Sequence, residues 1–206
     1  RFVLLMLEDE NGKPIDPQLL TGEVAPGVVD RWIVSRLGHT LREVDQAFAN
    51  YRFDYAASAL YEFTWYEFCD WYLELAKSRL QDKSPEGAAS RRAAQALLVE
   101  TLDTILRLIH PIAPFVTEEI RERLRDKVPG ASMLLATESW PVADASARDA
   151  DAEGEVGLLI EIVGALRSVR DDLKVPFRTP IRAVLRPCDA AMAKRVAAVQ
   201  ERAKAL

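Results

Sequence analysis

The sequence predicts a mainly α fold: an antiparallel helical bundle over residues 1–150 and a small α/β junction module over residues 151–206 at the C-terminal end. Three observations lead there. Apolar residues recur every three or four positions over long stretches, as on one face of a helix. Cap and breaker signals separate these stretches, among them Asp30, Ser84-Pro85-Glu86 and Pro111/Pro114. Residues 59–80, ALYEFTWYEFCDWYLELAKSRL, are apolar or aromatic in nearly every helical register. Such a segment is expected to be buried on several sides, as the central post of the bundle.

Residues 1–7 are apolar and read as helical. Residues 8–28 contain Asn11-Gly12, Pro14, Pro17, Gly22, Pro26 and Gly27 and read as a long surface loop. Asp30 is the expected N-cap of a helix running to about Asn50. Its apolar face is Ile33, Leu37, Leu41, Val44 and Phe48; Arg36, Arg42, Glu43 and Gln46 form the other. Asn50-Tyr51-Arg52-Phe53 breaks it, and Asp54 caps the aromatic helix. On that helix Glu67, Asp70 and Glu74 fall together at i, i+3 and i+7. This acidic stripe is either a solvated edge paired with neighbouring basic residues or a surface that faces a ligand.

Ser84-Pro85-Glu86 opens the next helix, with Ala94, Leu98, Thr101/Leu102, Ile105 and Leu108/Ile109 on one face, and His110-Pro111-Ile112-Ala113-Pro114 ends it. Thr117-Glu118-Glu119 opens another helix, basic at its end. Residues 128–151 are irregular, with Pro129-Gly130 and Trp140-Pro141, and mark the expected domain boundary. A long helix over about 151–173 stops before Pro176. Residues 181–186, IRAVLR, alternate as a half-buried strand should. A strand needs a partner, either outside this sequence or at residues 133–136. Pro187-Cys188-Asp189 then turns the chain into a final helix.

The composition is that of an ordinary globular protein, 49% hydrophobic and 29% charged over 206 residues. No apolar run reaches the roughly 18–20 residues that span a bilayer. The apolar start is followed at once by Glu8, Asp9 and Glu10, unlike a secretory signal. With no initiator Met, the sequence reads as part of a longer chain that begins partway along a helix. Cys69 and Cys188 form neither a disulfide framework nor a metal motif, which fits a reducing, cytoplasmic setting. The net charge is −5. Residues 161–206 hold ten Lys/Arg against five Asp/Glu, a net of +5, which leaves −10 for residues 1–160. Such a bundle cannot hold a polyanion by bulk charge, so any nucleic-acid contact there must be local.

The residues offer little for catalysis. His39 lies mid-helix and His110 at a helix end, neither with a metal-spaced partner. His110 reads as a C-cap or dipole partner. No phosphate-binding glycine loop or nucleophile elbow is present, and the carboxylate pairs on helices read as ion-pair and dipole partners. No catalytic residue, metal site or cofactor is expected in this segment. Binding remains open, through aromatics beside arginine (Arg1-Phe2, Tyr51-Arg52-Phe53) and through the acidic stripe. Aromatics stack unpaired bases, Arg grips phosphates, and carboxylates accept from base amino groups. Core packing is the competing reading for Phe2 and Phe53.

The runs DRWIVSRL (30–37), NYRFDYAASALYEFTWYEFCDWYLELAK (50–77), LRLIHPIAPFVTEEI (106–120) and WP (140–141), in this order, resemble the valyl-tRNA synthetases. The match covers nearly the whole chain and falls on the anticodon-binding helical domain that follows the catalytic core in class I enzymes. Isoleucyl and leucyl enzymes share the first and third signatures; EFCDWYLE (67–74) favours valine. The resemblance implies a domain that holds the anticodon arm of a valine-accepting tRNA, not DNA or a membrane, beside the remaining domains of the same enzyme. The parent would be a valine–tRNA ligase using ATP and Mg, while this segment lacks the HIGH and KMSKS signatures and has no catalytic role. Anticodon contacts carry over to Arg1 and Phe2, from the Arg-Phe at the end of the first bundle helix, and to Leu73 and Glu74, after the DWY run. Arg121 stands where the family usually has Trp, which implies different packing there. An isoleucyl or leucyl enzyme, or a bundle serving only protein–protein packing, are the alternatives.

Overall fold

The computed structural model describes residues 2–7, 24–128, 130–144, 147–176 and 179–205. The chain divides into two compact units, Arg1–Arg148 and Asp149–Leu206. The first contains α1 (Phe2–Met6), α2 (Val28–Ala49), α3 (Phe53–Glu62), a π-helical segment (Phe63–Tyr72), α4 (Leu73–Gln81), α5 (Ala88–Ile109) and α6 (Pro114–Leu124). One-turn 3-10 helices follow at Arg125–Lys127 and Leu135–Thr137. The second unit contains α7 (Ala150–Asp172) and α8 (Ala190–Ala205). Among the described residues no helix is long and apolar enough to cross a membrane.

The core of the first unit grows from the predicted faces. Leu41, Val44 and Ala47 of α2 meet Ala56 and Leu60 of α3 and Leu108 of α5 in one buried cluster. The leucines and the valine of this cluster each contribute about 1.5–3 kcal/mol when fully withdrawn from water, the alanines less. α2 begins at Val28, so Asp30 is the third helical residue rather than the cap; its Oδ2 accepts from the Gly27 amide at 3.0 Å. The reversal after α2 is a Schellman motif. The Arg52 amide reaches the Ala47 carbonyl at 2.8 Å and the Tyr51 amide reaches Phe48 at 3.0 Å, with Tyr51 left-handed at φ 57°. Arg52 rather than Asp54 precedes α3 as its cap, and Asp54 pairs with it.

α3, the π segment and α4 form one continuous helix, because the residues at both junctions keep right-handed helical dihedrals. The register changes within it: the Leu73 amide bonds to the Phe68 carbonyl, five residues back. The side chains give the reason. Phe63, Phe68 and Tyr72 are all buried, yet at 100° per residue Phe63 and Phe68 would face directions about 140° apart. The wider π turn keeps both pointing inward. This long helix is not buried on several sides, as its composition suggested. Tyr61, Trp65 and Tyr66 are each more than half exposed. They cover one another instead, Tyr61 stacked on Trp65 at 6.4 Å and edge-on to Tyr66 at 6.0 Å.

α5 starts at Ala88 after Gly87, not at Pro85; Ser84 accepts from the Gly87 amide at 3.0 Å and closes the turn ahead of the helix rather than capping the helix itself. α6 starts at Pro114 rather than near Thr117, with proline in its favoured first turn. Thr117 Oγ1 binds back to the Ala113 carbonyl and lies 2.8 Å from His110 Nδ1, so His110 serves a helix junction. Residues 130–144 are irregular and held by side chains. Glu118 accepts from the Leu135 amide, and Trp140 Nε1 donates to Asp45 at 2.7 Å while its ring meets Phe48 edge-on.

In the second unit α7 packs on α8 through Ala152, Val156, Leu159, Val163 and Val199. α7 also ends in a Schellman motif, with Lys174 at φ 52° and the Val175 amide on the Arg170 carbonyl. Asp189 accepts from the Met192 amide and caps α8. The α/β character expected here is corrected: among the described residues there is no strand. Residues 181–186 are exposed and form no ladder, and the alternative partner at 133–136 runs into the 3-10 turn Leu135–Thr137 instead. An alternating pattern alone makes no strand without a ladder of paired backbone groups.

Candidate nucleic-acid interface

Of the four residues singled out by resemblance, Arg1 lies outside the described residues. The other three lie on α1 and α4. α1 is short, but it is anchored: Val3 and Leu7 are buried, and Gln95 Nε2 of α5 donates to the Met6 carbonyl at 2.7 Å. That anchoring leaves Phe2 half-buried at the start of the helix. Leu73 and Glu74 are half-buried in the first turn of α4, directly after the π segment.

Phe2 and Glu74 come together through a residue the sequence reading did not single out. Lys77 Nζ donates to Glu74 Oε1 in a close ion pair and lies 5.8 Å from the centroid of the Phe2 ring, within cation–π range. About two fifths of each charged side chain remains in solvent (40% for Glu74 and 38% for Lys77). Among the described residues, Glu74 Oε2 has no partner. An aromatic ring, a carboxylate with a free oxygen and an ammonium thus share one accessible patch. Chemically these can stack a base, accept from an amino group and meet a phosphate. The signal for Lys77 was present in the sequence: Glu and Lys three residues apart on a helix are neighbours.

The three-acid stripe does not survive as a unit. The π register takes Glu67 out of phase with Glu74. Glu67 instead accepts from Arg36 of α2 in a two-pronged pair, at 2.9 Å to Nε and 2.7 Å to Nη2. Asp70 is exposed and, among the described residues, has no arginine partner. The stripe therefore resolves into one structural pair, one solvated acid and one acid at the patch.

Below the patch the start of α2 is tied to α4 and α5. Arg79 Nη1 donates to both oxygens of buried Asp30, at 2.7 and 2.6 Å, while its other nitrogens reach the Ser90 hydroxyl and carbonyl. Tyr72 packs close by, fully buried, with no partner for its hydroxyl. Burial, and secondarily the Asp30 carboxylate, push this phenol far above its ordinary range against the pull of Arg79. Cys69 is likewise pushed up by burial and by Asp70, the opposite of an activated thiol.

A family model described as the anticodon-binding domain of tRNA ligase matches residues 30–185. A valine–tRNA ligase of Bacillus cereus is 35% identical over 192 residues, which cover 93% of this chain and 20% of the relative. One from Caulobacter vibrioides is 42% identical over 148 residues, 72% of this chain and 16% of the relative. One from Thermotoga maritima is 40% identical over 176 residues, 85% and 18% respectively. The chain spans about a fifth of the length of these curated relatives.

Proposed function

Because the chain belongs to the family of anticodon-binding domains of tRNA ligases and matches its valine-specific members, we propose that it holds the anticodon arm of a valine-accepting tRNA. The observation that carries this reading is the meeting of Phe2, Lys77 and Glu74 on one accessible patch. In it Phe2 stacks a splayed anticodon base and Glu74 accepts from an exocyclic amino group through its free oxygen. Leu73 lines the same edge, and Arg1 grips a phosphate or base edge beside Phe2. Few contacts suffice for reading bases, which reconciles RNA binding with an acidic bundle.

The parent protein, on this reading, is a valine–tRNA ligase that joins valine to its tRNA using ATP and Mg in other domains, in the cytoplasm. This domain then contributes orientation of the tRNA and no catalytic group.

The test is a binding titration of the full-length ligase with valine-accepting tRNA, with the same tRNA substituted at the middle anticodon base, and with isoleucine tRNA. Preference for the intact valine anticodon is expected, and Phe2→Ala and Glu74→Ala should each reduce it while the bundle stays folded. Indifference to the middle base overturns the reading, and equal binding of isoleucine tRNA reassigns the specificity. Unfolding in either variant would make that residue part of the core.

A further inference from the structure

We propose that Lys77 is a positioning residue for base discrimination: its ammonium holds the Glu74 carboxylate and the Phe2 ring in the arrangement that reads the anticodon. The proposal rests on the reading of Phe2 and Glu74 as base contacts. An exposed i,i+3 ion pair within one helix is ordinarily a minor ornament. This pair differs because its cation also reaches out of its own helix. Lys77 Nζ engages Glu74 Oε1 of α4 and sits 5.8 Å from the ring centroid of Phe2, which belongs to α1.

The arrangement has two consequences. With Oε1 engaged, the carboxylate cannot rotate freely, and Oε2 is the oxygen left to accept from a base, since it has no partner among the described residues. The ammonium also occupies one side of the Phe2 ring, so a base stacking there meets a ring whose position is already set relative to the carboxylate. A fixed donor–acceptor geometry discriminates better than a floppy one because less side-chain freedom is lost on binding. The five-residue α1 makes this bridge necessary. It is anchored from below through Val3, Leu7 and the Gln95–Met6 bond, while Phe2 lies beyond those anchors at the first position of the helix.

The experiment uses the full-length ligase and compares wild type with Lys77→Met, Lys77→Arg, Glu74→Gln, Phe2→Ala and the double variant Lys77→Met/Glu74→Gln. Each is titrated with valine-accepting tRNA and with its middle-base variant over a range of salt concentrations. The expected result is that Lys77→Met lowers the ratio of the two affinities by about tenfold, the order of one lost base contact. Lys77→Arg should restore most of it, and the double variant should be no worse than Glu74→Gln, because both act on one contact. If Lys77→Met instead weakens both tRNAs equally and lowers the salt slope by about one, Lys77 is a phosphate contact and the positioning role is overturned. If Lys77→Met leaves the ratio intact while Glu74→Gln and Phe2→Ala reduce it, the positioning role fails and the site stands. If none of the variants moves the ratio, the site itself has failed, and the positioning role with it.

Discussion

Two charge clusters in the first unit both pair basic with acidic side chains and face opposite demands. At the α5–α6 junction Arg121 is 2% exposed, within 2.5 Å of Asp103 and 3.1 Å of Glu138, with Arg107 completing the group 2.6 Å from Asp103. At the α1–α4 patch Lys77 and Glu74 pair with about two fifths of each side chain still in water. In the first cluster each charge depends on its partners, because no water replaces a partner that is lost. In the second, water or a ligand can take over either partner at little cost. The comparison separates a cluster that holds the fold together from a pair that contributes little to the fold and keeps an open side for a ligand. Arg121 itself, fully buried, joins α6 to α5 through Asp103 and, through Glu138, to the irregular 130–144 segment that carries Trp140.

The comparison breaks most visibly at Arg121. Arg121→Met keeps much of the volume but leaves Asp103 and Glu138 short of positive charge in a buried setting. A loss of about 3 kcal/mol is expected, at the low end for breaking a buried pair because Arg107 remains. That corresponds to a fall in Tm of roughly 10 °C for a unit of this size, measurable by calorimetry. Arg121→Lys should lose less, since it keeps the charge but not the forked geometry. A cost for Arg121→Met no larger than that of Lys77→Met would erase the distinction between the clusters.

A second test concerns Tyr72, the buried phenol near Asp30 and Arg79. In the unfolded chain a tyrosine ionises near its ordinary value of about 10. In the fold, burial and then the Asp30 carboxylate keep Tyr72 protonated well above that. Above pH 10 the unfolded chain therefore sheds a proton the folded chain retains. The stability linked to this group is complete below about pH 10 and declines as pH rises beyond it. Tyr72→Phe should remove this alkaline decline. It should also stabilise the bundle by about 1 kcal/mol at neutral pH, because the buried hydroxyl has no hydrogen-bond partner to lose. Urea midpoints of both proteins from pH 8 to 11 check this; parallel curves would show that the phenol is not held as described.

The helices of both clusters were legible in the sequence, because periodicity and breakers are local signals. Leu41 and Val44 fall on the predicted face of α2, while α5 starts one turn later than the Ser84-Pro85 signal places it, with Ser84 bonding the Gly87 amide in the turn ahead of the helix. The π register was not read, although the five-residue spacing of Phe63 and Phe68 held the clue. Its effect was to move Glu67 away from Glu74 and onto Arg36. The Arg121 cluster is invisible in the sequence because Asp103, Arg121 and Glu138 are 18 and 17 residues apart and meet only once α5, α6 and residues 130–144 have packed. Lys77 was readable as a neighbour of Glu74, but its reach to Phe2 depends on how α1 is anchored on α5. Residues 181–186 show the reverse error, a local alternation with no ladder to sustain it.

The smallest expected effect is at the patch. Glu74→Gln and Lys77→Met each remove one half of an exposed ion pair, and Phe2→Ala removes a half-buried ring at the end of a short helix. Exposed pairs of this kind are worth about 0.2–1 kcal/mol, so the two charge variants should shift stability by less than about 0.5 kcal/mol and Tm by roughly 1–2 °C. Phe2→Ala should cost somewhat more, since part of its ring is withdrawn from water, but well below the 3–5 kcal/mol of a core aromatic. Against this near-neutral background any change in tRNA discrimination has to come from recognition rather than unfolding. The stability measurement therefore makes the binding measurement interpretable. Were Glu74→Gln to destabilise the bundle as strongly as Arg121→Met, the patch would be a second structural cluster, and the contrast between the two regions would collapse.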